Sequence, residues 1–450
     1  MRSQIASVAL VLTTALASGC GTSHEVVARP ESPATTAITG AESLPFLHDD
    51  YARALADAKR TKRPLFVDAW APWCHSCLSM RNYVLTDARL APLAKDFVWL
   101  SIDTEKESNG AFVERFQNHV WPTLWVVDSE HETPVLRWEG TATAPELLTL
   151  LATVREGSAA GAAETTMAFL RANQAATRGD VAEAERGYRA VLQQRAFAER
   201  PRALEALVGL LSAKKDYAGC AELALAEHAE MPRGTSRATL VAIGLSCARD
   251  GKVNGALDKL VAAAEALATD PDPSTLADDR SALFEELVET RTDQGASELA
   301  KTTARAWASF LEKEAARAPT KEARAGFDAH RLSAYLAMEA PERAIPMLNE
   351  SERDFPQDYN PPARLARVYL TMKNLDAARG AIDRAAARVY GPRALRVYVL
   401  AADIAKARSD GASERAALEQ AVSRTSHAVL NDSQKKLRAD LEKRLHDLPR

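Results

Sequence analysis

Cysteine is scarce in this chain: five in 450 residues, far too few for a fold stapled by disulfides. Net charge is scarce as well. At −4 the chain lacks the basic excess of a dedicated nucleic-acid binder. Apolar residues at 46% and charged residues at 26% leave no room for a mostly disordered or collagen-like protein. The single Cys-x-x-Cys pair has no second such pair and no His-x-x-x-His beside it, so the four ligands of a structural zinc site are missing. The N-terminal apolar stretch, Ile5–Leu16, spans roughly 18 Å as a helix, too short for a ~30 Å hydrocarbon core. What the chain does contain is unevenly spread. Six of its seven tryptophans (Trp70, Trp73, Trp99, Trp121, Trp125, Trp138) lie within 69 residues, and only Trp307 lies elsewhere. Alanine runs the other way, with 20 in residues 1–150 and 67 in residues 151–450. At about 150 residues per domain the length allows two or three domains, and two composition regimes share it.

Residues 1–20 read as an export address. Arg2 precedes the apolar run, and the small residues Ala17, Ser18 and Gly19 lead into Cys20. This ending resembles a bacterial lipobox, in which the cysteine is acylated and becomes the new N-terminus. Ala17 departs from the leucine that the lipobox prefers there, so ordinary secretion with cleavage near Ala17–Gly19 stays open. Acylation of Cys20 would supply the multiple chains that stable membrane attachment needs. Gly21 rather than aspartate follows it, and the resemblance then implies the outer membrane. Residues 21–44 are rich in Thr, Ala, Ser, Pro and Glu without an apolar period, and read as a flexible tether.

Residues 45–156 alternate helical and strand signals. A helix is expected over Asp49–Arg60 and a buried strand over Pro64–Trp70. Helical signals follow at His75–Val84 and Ala88–Lys95, then a strand at Phe97–Ile102 and a helix at Phe112–Gln117. A hairpin of Thr123–Asp128 with Val135–Trp138 and a helix at Ala144–Val154 complete an α/β fold, a mixed sheet between helices. The motif Trp70-Ala-Pro-Trp73-Cys74-His75-Ser76-Cys77 follows the buried strand and opens a helix. Two cysteines three apart at a helix start share a face. The unpaired N–H groups there favour an anion at Cys74, hence its thiolate. One exposed thiolate attacks a substrate disulfide, and a second, more buried thiol reaches back to release the product. Metal transfer through the two sulfurs is the rival reading.

The run Val67-Asp68-Ala-Trp70-Ala-Pro-Trp73-Cys74-x-x-Cys77, then Trp121-Pro122-Thr123 and Gly140, resembles the thioredoxin superfamily. The spacing through Met80, Leu85-Thr-Asp87 and Phe97-Val98 is similar to the branch that includes the periplasmic C-terminal domain of the transmembrane disulfide reductase. The resemblance implies Cys74 as nucleophile and Cys77 as resolving thiol, with no cofactor beyond their redox-active disulfide. It places Asp68 as the buried acid that accepts a proton from Cys77; a strand-end residue bonded to local backbone is the alternative. It makes Pro122 a cis-proline that exposes the Trp121 backbone to substrate, and Trp73 a lid beside the disulfide. Trp70, Trp99, Trp125 and Trp138 are assigned to the core. Three departures leave the redox direction open. His75-Ser76 separates the cysteines, and His75 either tunes the pair or faces solvent. Trp99 stands where thioredoxin has a lysine near its acid. Trp121 is bulky and would shape substrate choice alongside Trp73, His75 and Pro122.

Residues 157–163 are a small-residue break, and residues 164–450 carry a helical repeat. Small residues recur at Ala184, Cys220, Ala256, Ala344, Ala378 and, more weakly, Ala416, in steps of 36, 36, 88, 34 and 38. The long step leaves room for one more unit around Gln294–Ala300. Such a period means stacked helix hairpins. The best unit, Pro361–Ala387, resembles a tetratricopeptide repeat, so the expected fold is an all-α solenoid whose concave face holds a protein or peptide, or which serves as a spacer. Its histidines (His228, His330, His427, His446) read as surface residues. Cys220 and Cys247 read as buried packing thiols, with a disulfide as the alternative.

The expected function is thiol–disulfide exchange with protein thiols or disulfides on the periplasmic side of the cell envelope, with reduction favoured over oxidation. It requires an upstream electron donor or acceptor. The alternative is an interaction scaffold whose thioredoxin-like domain is a docking module.

Overall fold

The computed structural model describes residues 44–448; the predicted signal, Cys20 and nearly all of the tether lie outside them. In the first part, β1 (Phe46–His48) leads to α1 (Tyr51–Thr61), which opens where the Asp50 side chain accepts from the Arg53 N–H. β2 (Leu65–Trp70) is buried almost throughout and enters α2 (His75–Ser79), which continues as a π-type turn through Val84. Residues Ala88–Lys95 form a 3₁₀ segment around Pro92, which cannot donate to an α-helical ladder. Then come β3 (Val98–Asp103), α3 (Gly110–Arg115), β4 (Thr123–Asp128), β5 (Thr133–Glu139) and α4 (Ala144–Gly157). The sheet order is β1-β3-β2-β4-β5; β3 runs parallel to β1 and β2, while β4 is antiparallel to β2 and β5. The three-residue edge strand β1 was not expected, being too short to show a period.

Alternate strand residues face opposite layers. Leu65, Val67, Ala69, Leu100 and Trp125 pack with Phe112 and Phe116 on one side. Phe66, Trp99, Leu124 and Trp138 face the other, and this core runs without a break into the helical part.

That part consists of seven helix hairpins. They are α5–α6 (Glu164–Thr177, Val181–Leu192), α7–α8 (Arg200–Ala213, Tyr217–Glu227), α9–α10 (Thr235–Asp250, Asn254–Thr269) and α11–α12 (Ala277–Asp293, Ser297–Arg317). After the short α13 (Lys321–Ala325) come α14–α15 (Asp328–Ala337, Ala344–Asp354), α16–α17 (Asn360–Thr371, Leu375–Ala386) and α18–α19 (Ala394–Ala407, Gly411–Arg424), closed by α20 (Asp432–Asp447). Each hairpin turns on one left-handed residue: Gly179, Lys215, Lys252, Gly295, Glu339, Lys373 and Ser409. In four of the seven the next residue, Asp180, Asp216, Asn374 or Asp410, caps the second helix. Ala184, Cys220, Ala256, Ala344 and Ala378 are all buried where paired helices approach. The long step holds α11–α12, with Ala300 and Ala304 buried.

Two readings need correction. In the last hairpin Ala416 is exposed. The residue four places after the cap is Glu414, buried and paired with Arg444 at 2.7 Å, so the repeat runs through Glu414 and Leu418. Cys220 and Cys247 are not free thiols: they form a disulfide that ties α8 to α9.

The described residues form one compact unit. Asn173 of α5 shows how the two parts join. Its side chain accepts from the Arg137 N–H at 2.8 Å and donates to the Arg137 carbonyl at 2.7 Å, pairing with the edge of β5 as a strand would. No helix among the described residues is long and apolar enough to cross a membrane.

Candidate redox site

β2 delivers Trp70 to the top of the sheet, where its carbonyl accepts from the Thr104 N–H of the segment after β3. The chain turns through Ala71–Trp73, and Cys74 caps α2, its sulfur accepting from the Cys77 N–H at 3.1 Å. Cys74 and Cys77 are joined as a disulfide. Trp70, Trp73 and Trp121 pack against the pair, Trp73 and Trp121 edge to face at 5.2 Å. The Trp121–Pro122 peptide is cis. Cys74, Cys77, Trp73, His75, Trp121 and Pro122 are thus brought to one end of the sheet, with Asp68 two residues back along β2 from Trp70. The expected open sulfur is not seen: Cys74 is only 3% exposed, covered by its tryptophans.

Asp68 is 1% exposed. One oxygen accepts from Ser101 Oγ at 3.3 Å, and the other has no partner. Burial pushes this carboxyl up to about 6, against the opposing pull of Arg81 and Ser101. Arg81, stacked over Trp70 at 3.9 Å, is the cation near the acid, the role the sequence left vacant when Trp99 proved to be core. Trp125 and Trp138 are core as well, while Trp70 is half-buried.

The repeat array supplies what no local motif announces. His75 Nδ1 lies 2.8 Å from Asp278 Oδ1 of α11, and the same oxygen lies 3.0 Å from His330 Nε2 of α14. His330, expected at the surface, is 2% exposed and packs against His75 with ring centroids 3.8 Å apart and the planes tilted by 56°. Burial opposes charge on His75, but the Asp278 carboxylate overrides it and raises His75 above the ordinary histidine range. Although burial opposes its ionisation, Asp278 is held far below the usual carboxylate range by the two rings, and burial and the charge of His75 lower His330. Among the described residues these three are the group of His, Cys, Asp and Glu whose ligand-type atoms cluster within 4.8 Å. One nitrogen of each ring engages the same Asp278 oxygen, a His–Asp–His network that favours the charged form on His75 and disfavours it on His330.

A second bridge lies on the other side. Trp73 Nε1 donates to Glu105 at 2.8 Å, and the other Glu105 oxygen accepts from the Arg393 N–H at 2.6 Å. Burial pushes Glu105 up to about 7. The Arg393 guanidinium sits 4.8 Å above the Trp73 ring, and Asn360 donates to the Pro72 carbonyl at 3.2 Å. Residues some 200 to 300 places downstream therefore frame the cysteine loop. Their sequence neighbourhoods read only as repeat helix.

Two family models match the chain: a thioredoxin-like family over residues 47–129 and the tetratricopeptide repeat over residues 335–399. Over 82 residues the chain is 30% identical to the thiol:disulfide interchange protein DsbD of Pseudoalteromonas atlantica, covering 18% of this chain and only 14% of that protein's length. Among solved structures, a tetratricopeptide repeat protein from Parabacteroides merdae aligns at 13% identity and a TM-score of 0.39, over 62% of this chain and 98% of that one. BtubC from P. vanneervenii aligns at 13% identity and a TM-score of 0.32, over 60% and 93%. The chain is thus a thioredoxin-like domain with a Cys-x-x-Cys pair, followed by tetratricopeptide repeats.

Proposed function

We propose that this chain exchanges disulfides with protein substrates in the bacterial cell envelope. The observation that carries the reading is the Cys74–Cys77 disulfide at the head of α2, packed against Trp70, Trp73 and Trp121, with a buried carboxyl on the strand that leads to it. In the reductive direction the Cys74 thiolate attacks a substrate disulfide and releases one substrate thiolate. Cys77 then attacks Cys74 Sγ and releases the second, so the substrate gains two electrons and the pair becomes a disulfide. Asp68, uncharged below about pH 6 and ionised above it, accepts the proton that Cys77 gives up. The oxidative direction is the reverse. A charged His75 beside Cys74 favours the thiolate and so stabilises the reduced pair, which moves its potential toward oxidant behaviour. The envelope assignment is supported by the DsbD likeness and by the second disulfide, Cys220–Cys247, a bond that persists in oxidising compartments. The array is read as a protein-binding surface, and Cys20 as a lipid anchor that places the protein at the outer membrane.

Trapping tests the reading. With Cys77→Ser, covalent adducts through Cys74 accumulate in vivo and name the partners. Absence of adducts, together with a blank insulin-reduction and thiol-oxidation assay on the parent chain, would leave the scaffold reading, which the near-complete burial of Cys74 favours.

A further inference from the structure

A cavity of about 330 Å³ opens where α16 and α18 meet, lined by Arg364, Arg367, Arg393 and Arg396 together with Tyr359 and Leu437. Arg364 and Arg367 are three residues apart on α16 and share a helix face, while Arg393 ends the turn that leads into α18, three residues before Arg396. Arg393 and Arg396 also line an adjoining cavity of about 220 Å³ whose other wall is Trp73 and Trp121, the rings packed on the disulfide.

Several arginines elsewhere on neighbouring hairpins have carboxylate partners, although Arg331 bonds only the Tyr335 hydroxyl and Arg424 only the Gln420 amide. Arg384 and Arg388 hold Glu352, Arg379 holds Asp383, and Arg408 holds Asp376. The side chains of Arg364, Arg367 and Arg396 make no hydrogen bond or ion pair among the described residues, Arg364 acting on the buried Asp328 only through its charge, and Arg393 has only the Trp73 ring and its own backbone N–H on Glu105. The acids lining the two cavities do not neutralise them. Asp403 is engaged by Arg444 at 2.6 Å, and Glu105 is already taken by Trp73 and the Arg393 N–H. Burial, with Arg396 and Arg364 adding repulsion, holds Arg393 below the ordinary guanidinium range. The positive field reaches the cysteine loop, since Arg364 also disfavours charge on His75 and His330. Four like charges in one cleft of a chain with net charge −4 are a local feature.

We propose that this cleft docks an acidic segment of the protein substrate, rich in Asp or Glu and flanking the cysteine that reaches Cys74. Planar guanidinium forks match carboxylates in pairs. The wall shared with Trp73 and Trp121 makes the occupant a stretch of the same polypeptide that enters the redox site. The proposal rests on the exchange reading and adds the substrate class.

The test measures docking and chemistry separately on the full chain. Short fluorescent peptides without cysteine, one Glu/Asp-rich, one Gln/Ser-rich and one Lys-rich, are titrated by anisotropy at low and high salt. The acidic peptide binds tightest and weakens with salt. Arg364→Gln with Arg396→Gln weakens it about tenfold, equivalent to about 1.4 kcal/mol. Arg364→Lys with Arg396→Lys recovers part of the loss and shows that the fold is kept. Equal binding of the acidic and Gln/Ser-rich peptides, an unchanged affinity in the Gln pair, or equal displacement by an oligonucleotide overturns the proposal. Disulfide-bearing versions of the same peptides report the chemistry. Acidic docking without exchange defeats the exchange reading alone, and exchange without preference for acidic flanks defeats the docking proposal alone.

Discussion

Asp68 carries a carboxylate oxygen that no donor reaches, inside a sheet covered on both faces. Its folded value of about 6 lies above the ordinary 3.8, so the folded state holds the proton more tightly. Stability then falls as pH rises from about 4 to 6, and the full cost is present above that window. Asp68→Asn should therefore stabilise the chain by about 2–3 kcal/mol at pH 8 and by little at pH 4, while slowing exchange. Denaturant unfolding of both proteins at the two pH values checks it; a gain that does not grow with pH would contradict the account. Asp278 acts on the pair through His75. With Asp278→Asn, burial acts on His75 without the opposing carboxylate, so its titration, followed by NMR, moves down. The Cys74–Cys77 potential should then become more negative at pH 7, because the charge that favours the thiolate is lost. A potential unchanged while the His75 titration falls would show that His75 does not tune the pair. Cys74, Cys77, Asp68 and Pro122 were legible as candidates because they carry the family pattern, and the structure shows the Cys74–Cys77 disulfide and the cis peptide before Pro122. Asp278 and His330 were not, since a single acid or histidine on an amphipathic helix looks the same whether it meets solvent or another element.

At the scale of elements, small residues decide how closely helices approach. A Cβ at Gly244 on α9 would lie 2.3 Å from the Ala224 Cβ on α8, a distance no real pair tolerates. Gly244→Ala should cost about 1–3 kcal/mol through overpacking. Gly380 on α17 faces open space, so Gly380→Ala should add about 0.5–1 kcal/mol from helix propensity. Thermal or denaturant melts that shift both variants in the same direction would refute this placement of the helix faces. The repeat period was readable because small residues recur at one place per hairpin. Its register slipped at the last unit because Glu414, kept buried by Arg444, occupies the place of a small residue. The edge strand β1 and the 3₁₀ segment at Pro92 depend on neighbours rather than on any local period.

At the scale of the molecule, the tryptophan-rich and alanine-rich parts share one core. Phe66, Trp99 and Trp138 of the sheet belong to the same buried cluster as Phe169 and Tyr188 of the first hairpin. Asn173 closes the β5 edge, and Glu105, Asn360 and the Asp278 pair tie the cysteine loop to four hairpins. Cooperative unfolding follows from a shared core. Calorimetry of the full chain should show the thioredoxin-like part and the adjoining hairpins melting in one transition. A separate early transition assigned to residues 44–157 would mean that the shared core carries little energy.

Sequence alone determined the two building blocks. A buried strand followed by Trp-Cys-x-x-Cys, and a repeat of small residues near every 36 positions, are local patterns, and each imposes its element whatever surrounds it. Only the tertiary structure decided what surrounds the disulfide, namely the carboxylate bonded to His75, the arginines that face Trp73 and Trp121 and the lid that leaves Cys74 almost unexposed, and it decided the bond between Cys220 and Cys247. The second disulfide joins residues 27 places apart and the array meets the cysteine loop across about 200 to 320 places, and the energy of such contacts depends on the geometry of approach, which no local pattern encodes.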